Sequence, residues 1–266
     1  MIFSITIRII NKESIARFSN DSVICVLTRG YTDINNYDKL LKRNKSIADT
    51  SWGSKYKQII FHEGNITKEH QNYIQSNTPF ELEFQNISKI FHRPFTENVS
   101  DELCTYVSHM GIGYRKMCRF WFIDFWNLLQ EYAYVLRLDE DIILKENCED
   151  PIDFCKTHNY KYISSVTMDE NPAVIPGLAK FVDEKEKNIL RIPGTHSQVI
   201  NLTHYNTNRC KSFIRQINET GCIKKARWGD APLMGIFIKR FTRPSEYLFK
   251  WNGFKGYHGS HNHHFL

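Results

Sequence analysis

Short apolar runs and longer stretches of helical spacing alternate along this chain. Residues 23–28 (VICVLT) are continuously apolar, as expected of a strand buried on both faces. Residues 37–47 follow with helical spacing and many lysines, and residues 57–61 (KQIIF) make a second short strand. Thr67 is placed to cap a helix that runs through Ile74, with Glu69 and His70 in its first turn. Residues 80–87 read as a third strand, and residues 101–109 and 115–130 as helices, the second densely apolar. The run 132–138 (YAYVLRL) is a further strand, 161–166 another, and 203–217 a helix. Strand–helix alternation predicts an α/β layered domain. In such sheets ligands bind at the carboxyl ends of the strands, where Thr28 and Arg29 lie on one strand and Asp139–Asp141 on another.

The second of these ends carries the strongest chemical signal. The strand ends in three consecutive carboxylates, Asp139, Glu140 and Asp141, and apolar residues resume at once with Ile142. Carboxylates at the end of a buried strand are costly unless their charge is compensated, and a divalent cation carrying a diphosphate would do so. This is the logic of the DxD motif of nucleotide-sugar transferases. A solvated turn between two strands has the same composition, so three acids alone are a weak sign.

Composition narrows the classes. The 266 residues allow one large α/β domain or two small ones, and 41% hydrophobic residues supply a substantial core. The net charge of +6 suits anionic ligands such as nucleotide diphosphates. No Lys/Arg block is interleaved with aromatics, which argues against nucleic acid as a partner. The seven cysteines include no CxxC pair, so a structural zinc site is not signalled. Cys25 and Cys118 read as core fillers, and Cys148 with Cys155 or Cys210 with Cys222 are the candidate disulfides, either of which would need an oxidising compartment. The apolar start, MIFSITIRII, is too short to span a membrane and is a poor signal peptide. The chain therefore reads as soluble, with the cytoplasm as the default compartment.

Three more segments carry candidate chemistry. In GYRKMCRF (113–120), Arg115 and Arg119 share a helical face, open to phosphate or to solvent. In ARWGDAP (226–232), Gly229 permits an unusual backbone angle, Asp230 sits where a helix N-cap would be and Pro232 falls in the first turn. GFKGYHGSHNHH (253–264) crowds histidines between glycines, as a metal-binding loop or a ragged tail would.

Taken in order, these segments resemble the fungal α-1,2-mannosyltransferase family, glycosyltransferase family 15. Residues 114–120 are similar to its YRxMCRF-like segment and 134–142 to its YYWRVEPDV-like segment. RWGDAP is matched letter for letter by 227–232, and 256–258 look like its GYxH-like segment. The resemblance implies a GT-A type nucleotide-sugar transferase fold, a mixed central sheet flanked by helices, formed by one domain over 1–266. Within it, about 23–145 would be the nucleotide-binding half and about 146–266 the acceptor side, with a C-terminal metal-binding loop. It further implies retaining transfer of mannose from GDP-mannose to a glycan or glycoprotein. Asp139, Asp141 and His258 would hold Mn2+ or Mg2+, and Thr28, Arg29, Arg119, Arg137 and Asp139 would contact the nucleotide. Tyr114 would face the sugar, and Asp230 the acceptor hydroxyl. Family members are anchored in the Golgi.

Two departures qualify the resemblance. Asp139 stands where the family has Glu. Gln198 falls where the family has a Glu proposed as nucleophile, and an amide cannot form a covalent glycosyl intermediate as a carboxylate does. Front-face transfer, with Gln198 supporting the sugar through its amide carbonyl, is then the expected mechanism. The alternatives are a degenerate binder of nucleotide sugar or glycan on the same fold, and an unrelated metal-dependent phosphoryl-transfer or hydrolytic enzyme.

Overall fold

The computed structural model describes residues 21–96, 103–108, 110–172, 175–185, 189–259 and, for the backbone only, 263–265. The expected N-terminal apolar run lies outside these residues, as do parts of the 101–109 and 253–264 segments.

The predicted run 23–28 becomes β1 (Ser22–Thr28), and its alternate residues enter different cores. Val23 and Cys25 pack into one buried cluster and Ile24 into another on the opposite face, the two-sided burial expected of a central parallel strand. β2 (Lys57–His62) and β3 (Leu82–Asn86) extend the sheet in parallel on one side, and β4 (Tyr134–Leu138) pairs in parallel on the other. Beyond β4 the direction changes. β9 (Ser197–Asn201) is antiparallel to β4 and to β6 (Tyr162–Ser164), and β10 (Tyr247–Leu248) closes that edge. The order is β10-β6-β9-β4-β1-β2-β3, the expected mixed sheet.

Two small ladders complete the strands. β5 (Ile142–Leu144) pairs with β11 (Gly256–His258), which pairs with β12 (His263–Phe265). β7 (Thr167–Asp169) pairs with β8 (Arg191–Pro193).

The helices in chain order are α1 (Asp38–Ala48), α2 (Lys68–Ser76), α3 (Ser88–Phe91), α4 (Ile112–Arg119), α5 (Phe125–Leu128), α6 (Pro151–Thr157), α7 (Leu178–Val182), α8 (Leu202–Tyr205), α9 (Asn208–Glu219), α10 (Cys222–Lys225) and α11 (Asp230–Phe241). Thr67 caps α2 as expected, its hydroxyl accepting from the His70 N–H. The expected helix 115–130 is broken by a π-helical turn at Phe120–Asp124, a form that often marks functional sites. The expected helix 203–217 is split into α8 and α9, with Thr207 capping the second.

Three expectations are corrected. Residues 103–108 are not helical. They are held by a Cys104–Cys222 disulfide and by the buried Arg115 guanidinium, which donates to the carbonyls of Val107, Met110 and Lys224. The disulfide also replaces both expected pairings, since Cys148, Cys155 and Cys210 are free thiols. Finally, the N-cap of α11 is Gly229, and Asp230 is the first helical residue.

Candidate active site

A cleft of about 610 Å3 opens at the carboxyl ends of β1 and β4. Strand alternation places Arg137 and Asp139 on one face, and their side chains meet. Arg137 Nε donates to Asp139 Oδ1 (2.8 Å) and Nη2 to Asp139 Oδ2 (3.1 Å). Its Nη1 reaches Asp230 Oδ2 at 2.6 Å, and the guanidinium lies 4.2 Å from the centre of the Trp121 ring, on the π-helical turn. Burial works against the guanidinium charge, but Asp139 and Asp230 hold the Arg137 pKa above its ordinary value. Thr195 Oγ1 also donates to Asp230 Oδ2 (3.0 Å), and the Cys118 thiol to Oδ1 (3.6 Å). Burial pushes that thiol well up, so it stays protonated. Tyr114, from α4, closes this side. Burial raises its phenol above the usual range, with Cys118 and Asp230 adding to the effect, so it acts as a hydrogen-bond donor.

Asp141 and His258 form a separate pair. In the β5–β11 ladder His258 stands opposite Ile142, which brings its Nε2 to 3.3 Å from Asp141 Oδ1. The imidazole stacks on His196 with ring centres 4.2 Å apart, and Gly259 N–H donates to the Asp141 carbonyl (3.0 Å). A carboxylate oxygen and an imidazole nitrogen at this spacing fit two neighbouring ligands of a divalent ion, whose donors at about 2.1 Å from the metal stand about 3 Å apart. Among the described residues no group of three or more His, Cys, Asp or Glu side chains is arranged around a common ion position.

The third acid has another use. Glu140 accepts hydrogen bonds from the Thr28 and Tyr31 hydroxyls, the latter at 3.0 Å, and so ties the β4–β5 turn to the end of β1. Arg29 lies 5.1 Å from the centre of the Tyr31 ring at the same edge of the cleft.

No family model matches the chain. It is 29% identical to the probable mannosyltransferase KTR3 of Saccharomyces cerevisiae over 164 residues, covering 52% of this chain and 41% of KTR3. It is 27% identical to the probable mannosyltransferase YUR1 of the same yeast over 176 residues, covering 51% of this chain and 41% of YUR1. The chain thus spans about two fifths of the length of these relatives. Among solved structures, the Mn/GDP form of core-mannan synthase A (CmsA/Ktr4) from Aspergillus fumigatus superposes with a TM-score of 0.74 at 17% identity, covering 90% of this chain and 74% of that one. The chain is similar over half its length to these fungal mannosyltransferases. Its fold is GT-A.

Of the expected site residues, the structure brings together Thr28, Arg29, Tyr114, Arg137, Asp139, Asp141, Asp230 and His258 around one cleft. Two of the expected site residues do not line it. Arg119 is buried and donates to the carbonyls of Ile90, Phe91, Arg93 and Pro94, with Asp124 beside it, so its guanidinium is spent on holding the α3 end against α4. Gln198 is buried opposite Arg137 in the β4–β9 ladder, and its carbonyl already accepts from the Tyr162 hydroxyl at 2.6 Å. Asp139 lines the cleft, but its carboxylate is turned onto Arg137. Thr195, His196, Trp121 and Arg227 also line the cleft and were not anticipated. His196 and Thr195 precede β9, whose antiparallel pairing sets its start beside the end of β4, a placement that follows from topology and has no local sequence signature.

Proposed function

We propose that this chain is a divalent-metal-dependent mannosyltransferase that moves mannose from GDP-mannose onto a hydroxyl of a glycan acceptor. The observation that carries this reading is the meeting, in one cleft, of the Asp141–His258 pair with the Arg137–Asp230 cluster and Tyr114. Asp141 and His258 would hold Mn2+ or Mg2+, and the ion would supply positive charge for the diphosphate leaving group. Thr28 and Arg29 would meet the nucleotide at the end of β1, in the half running from about residue 23 to 145, and the acceptor would enter from the 146–266 side.

Gln198 is an amide away from the cleft, and both Asp139 and Asp230 are ion-paired to Arg137. No carboxylate is left as a free nucleophile among these residues, which favours front-face transfer. The bond from mannose C1 to the phosphate oxygen breaks, the acceptor oxygen bonds C1 from the same side, and its proton passes to the departing phosphate. Tyr114 donates to the sugar, and Arg137 and Asp230 orient the acceptor hydroxyl. The Cys104–Cys222 disulfide favours an oxidising compartment over the cytoplasm. Among the described residues no helix is long and apolar enough to cross a membrane.

The test is a thermal-shift and donor-hydrolysis screen of GDP-, UDP- and ADP-sugars with and without Mn2+. Stabilisation and slow hydrolysis confined to GDP-mannose with metal support the reading. A folded protein that responds to no donor overturns it. The full ion-pairing of both carboxylates also fits a binder without catalysis, which would bind GDP with Mn2+ yet neither hydrolyse the donor nor transfer its sugar.

A further inference from the structure

Five arginines are buried among the described residues: Arg43, Arg115, Arg119, Arg137 and Arg227. Four have an obvious reason to be there. Arg43 donates to the Leu138 carbonyl and to Asn44, Arg115 and Arg119 donate to backbone carbonyls, and Arg137 donates to two carboxylates. Arg43 Nη2 and Arg119 Nε are also enclosed without a partner, but the rest of each guanidinium is spent on carbonyls or an amide, whereas Arg227 hydrogen-bonds the Tyr114 phenol and lines the cleft. Arg227 is 9% exposed, its Nε is enclosed without a hydrogen-bond partner, and among the described residues no carboxylate stands within ion-pair distance. Its close neighbour is Tyr114, whose ring centre lies 5.2 Å from the guanidinium. A buried cation left this way is expensive unless a ligand completes it.

The backbone is also forced. Arg227 has φ 59°, a left-handed conformation that costs a non-glycine residue energy. The next residue explains how it is held there. Trp228 is fully buried and its indole N–H donates to the Pro176 carbonyl (3.0 Å), which fixes the turn that presents Arg227 to the cleft. That turn leads directly into the 12-residue helix α11, whose N-cap, Gly229, offers no side-chain cap. Ala231, in its first turn, lines the cleft. The helix dipole favours an anion at such an end, where Pro232 has no N–H and the Asp230 N–H faces the Cys118 thiol. The Asp230 carboxylate in the same turn is already neutralised by Arg137. Burial lowers the Arg115 pKa, Tyr106 and Cys118 oppose the shift, and the Arg227 charge adds to it. The acids that line the cleft elsewhere include Asp169 and Glu170 on the β7 side and Glu63 after β2.

We propose that Arg227 and the N-terminus of α11 form an oxyanion site on the acceptor side of the cleft, so that the preferred acceptor carries a phosphate near its accepting hydroxyl. The inference deepens the transferase reading and rests on it. The contacts from Asp139 through Arg137 to Asp230 run from the neighbourhood of the Asp141–His258 pair to the turn that carries Arg227, so the donor diphosphate and this second anion occupy opposite ends of one cluster.

The experiment uses the full chain and two acceptors, methyl α-mannoside and its 6-phosphate, with GDP-mannose and Mn2+. The parent is expected to show a KM for the phosphorylated acceptor about tenfold lower, the size of one charge-assisted hydrogen bond. Arg227→Gln abolishes that preference, Arg227→Lys keeps part of it, and neither changes the affinity for GDP with Mn2+. A separate arm needs no donor: inorganic phosphate raises the melting temperature of the parent and of Arg227→Lys, but not of Arg227→Gln. Equal use of the two acceptors by the parent overturns the proposal. So does loss of GDP binding in Arg227→Gln, which would assign the arginine to the donor diphosphate. If GDP-mannose is not a substrate but phosphate still protects through Arg227, the anion site stands and the transferase reading falls.

Discussion

Arg137 Nη1 stands 2.6 Å from Asp230 Oδ2, and through that contact the end of β4 is joined to the first turn of α11. The same guanidinium holds Asp139 with its other nitrogens. One guanidinium thus pairs two carboxylates from distant parts of the chain, Asp230 buried and Asp139 partly exposed to the cleft.

Removing that cation leaves the buried Asp230 and the partly exposed Asp139 without their partner. Arg137→Met is expected to cost about 3–5 kcal/mol, a fall in melting temperature of about 10 °C in a chain of this size. Adding Asp230→Asn should recover part of the loss, because it removes one orphaned charge. A single mutant that melts within about 2 °C of the parent would mean that the pair contributes little.

Much of the scaffold was legible because it is local. Residues 23–28 read as a buried strand since apolar side chains fill both faces, and Thr67 read as a cap since its hydroxyl satisfies the His70 N–H. The motif residues Tyr114, Asp141, Asp230 and His258 could be placed from their segments, and all reach one cleft. What was missed depends on distant partners. Spacing put Arg115 and Arg119 on one helical face but could not say that carbonyls from residues 90–110 cover it. Glu140 looked like part of a metal motif, and only the fold brings Thr28 and Tyr31 to it. Residues 256–258 looked like a loop because three residues form a strand only when β5 is there to pair with them. Cys104 and Cys222 are 118 residues apart, a pairing that adjacency could not suggest.

That disulfide anchors the irregular segment 103–108 to α10. Cross-linking across 118 residues restricts the unfolded chain strongly. The Cys104→Ser/Cys222→Ser double mutant should therefore lose about 2–5 kcal/mol, seen as a lower midpoint in urea. Dithiothreitol should lower the parent to the same midpoint and leave the double mutant unchanged. Equal midpoints for oxidised parent and double mutant would count against a stabilising role.

His62 ends β2, is buried, and its Nδ1 accepts from the Gly64 N–H at 3.3 Å. Burial lowers its pKa below the ordinary value of 6.5. In the folded state it stays neutral where the unfolded chain has taken up a proton, so its contribution is complete above about pH 6.5 and declines as pH falls toward the folded pKa. Melting temperature should drop between pH 7.5 and 5.5, and less steeply in His62→Gln. Parallel pH profiles for the two proteins would rule His62 out as the source.

The Asp141–His258 pair makes the sharpest demand on the metal reading. The alternative is a purely structural contact of the imidazole with the carboxylate at 3.3 Å. In that case His258→Ala would cost stability and leave nucleotide binding alone. If the pair holds an ion, His258→Ala should melt close to the parent, since the β5–β11 ladder is made of backbone bonds. It should nevertheless lose more of the Mn2+-dependent GDP affinity than the about 10- to 100-fold that an outer-sphere partner is worth. Asp141→Asn should do the same, and the double mutant should be little worse than either single, because one bound ion is lost once. EDTA should bring the parent to the affinity of the mutants and change theirs hardly at all. Calorimetric titration of GDP with and without Mn2+ reads all of these, and a His258→Ala protein that binds GDP–Mn2+ as tightly as the parent would dismiss the pair as a metal site.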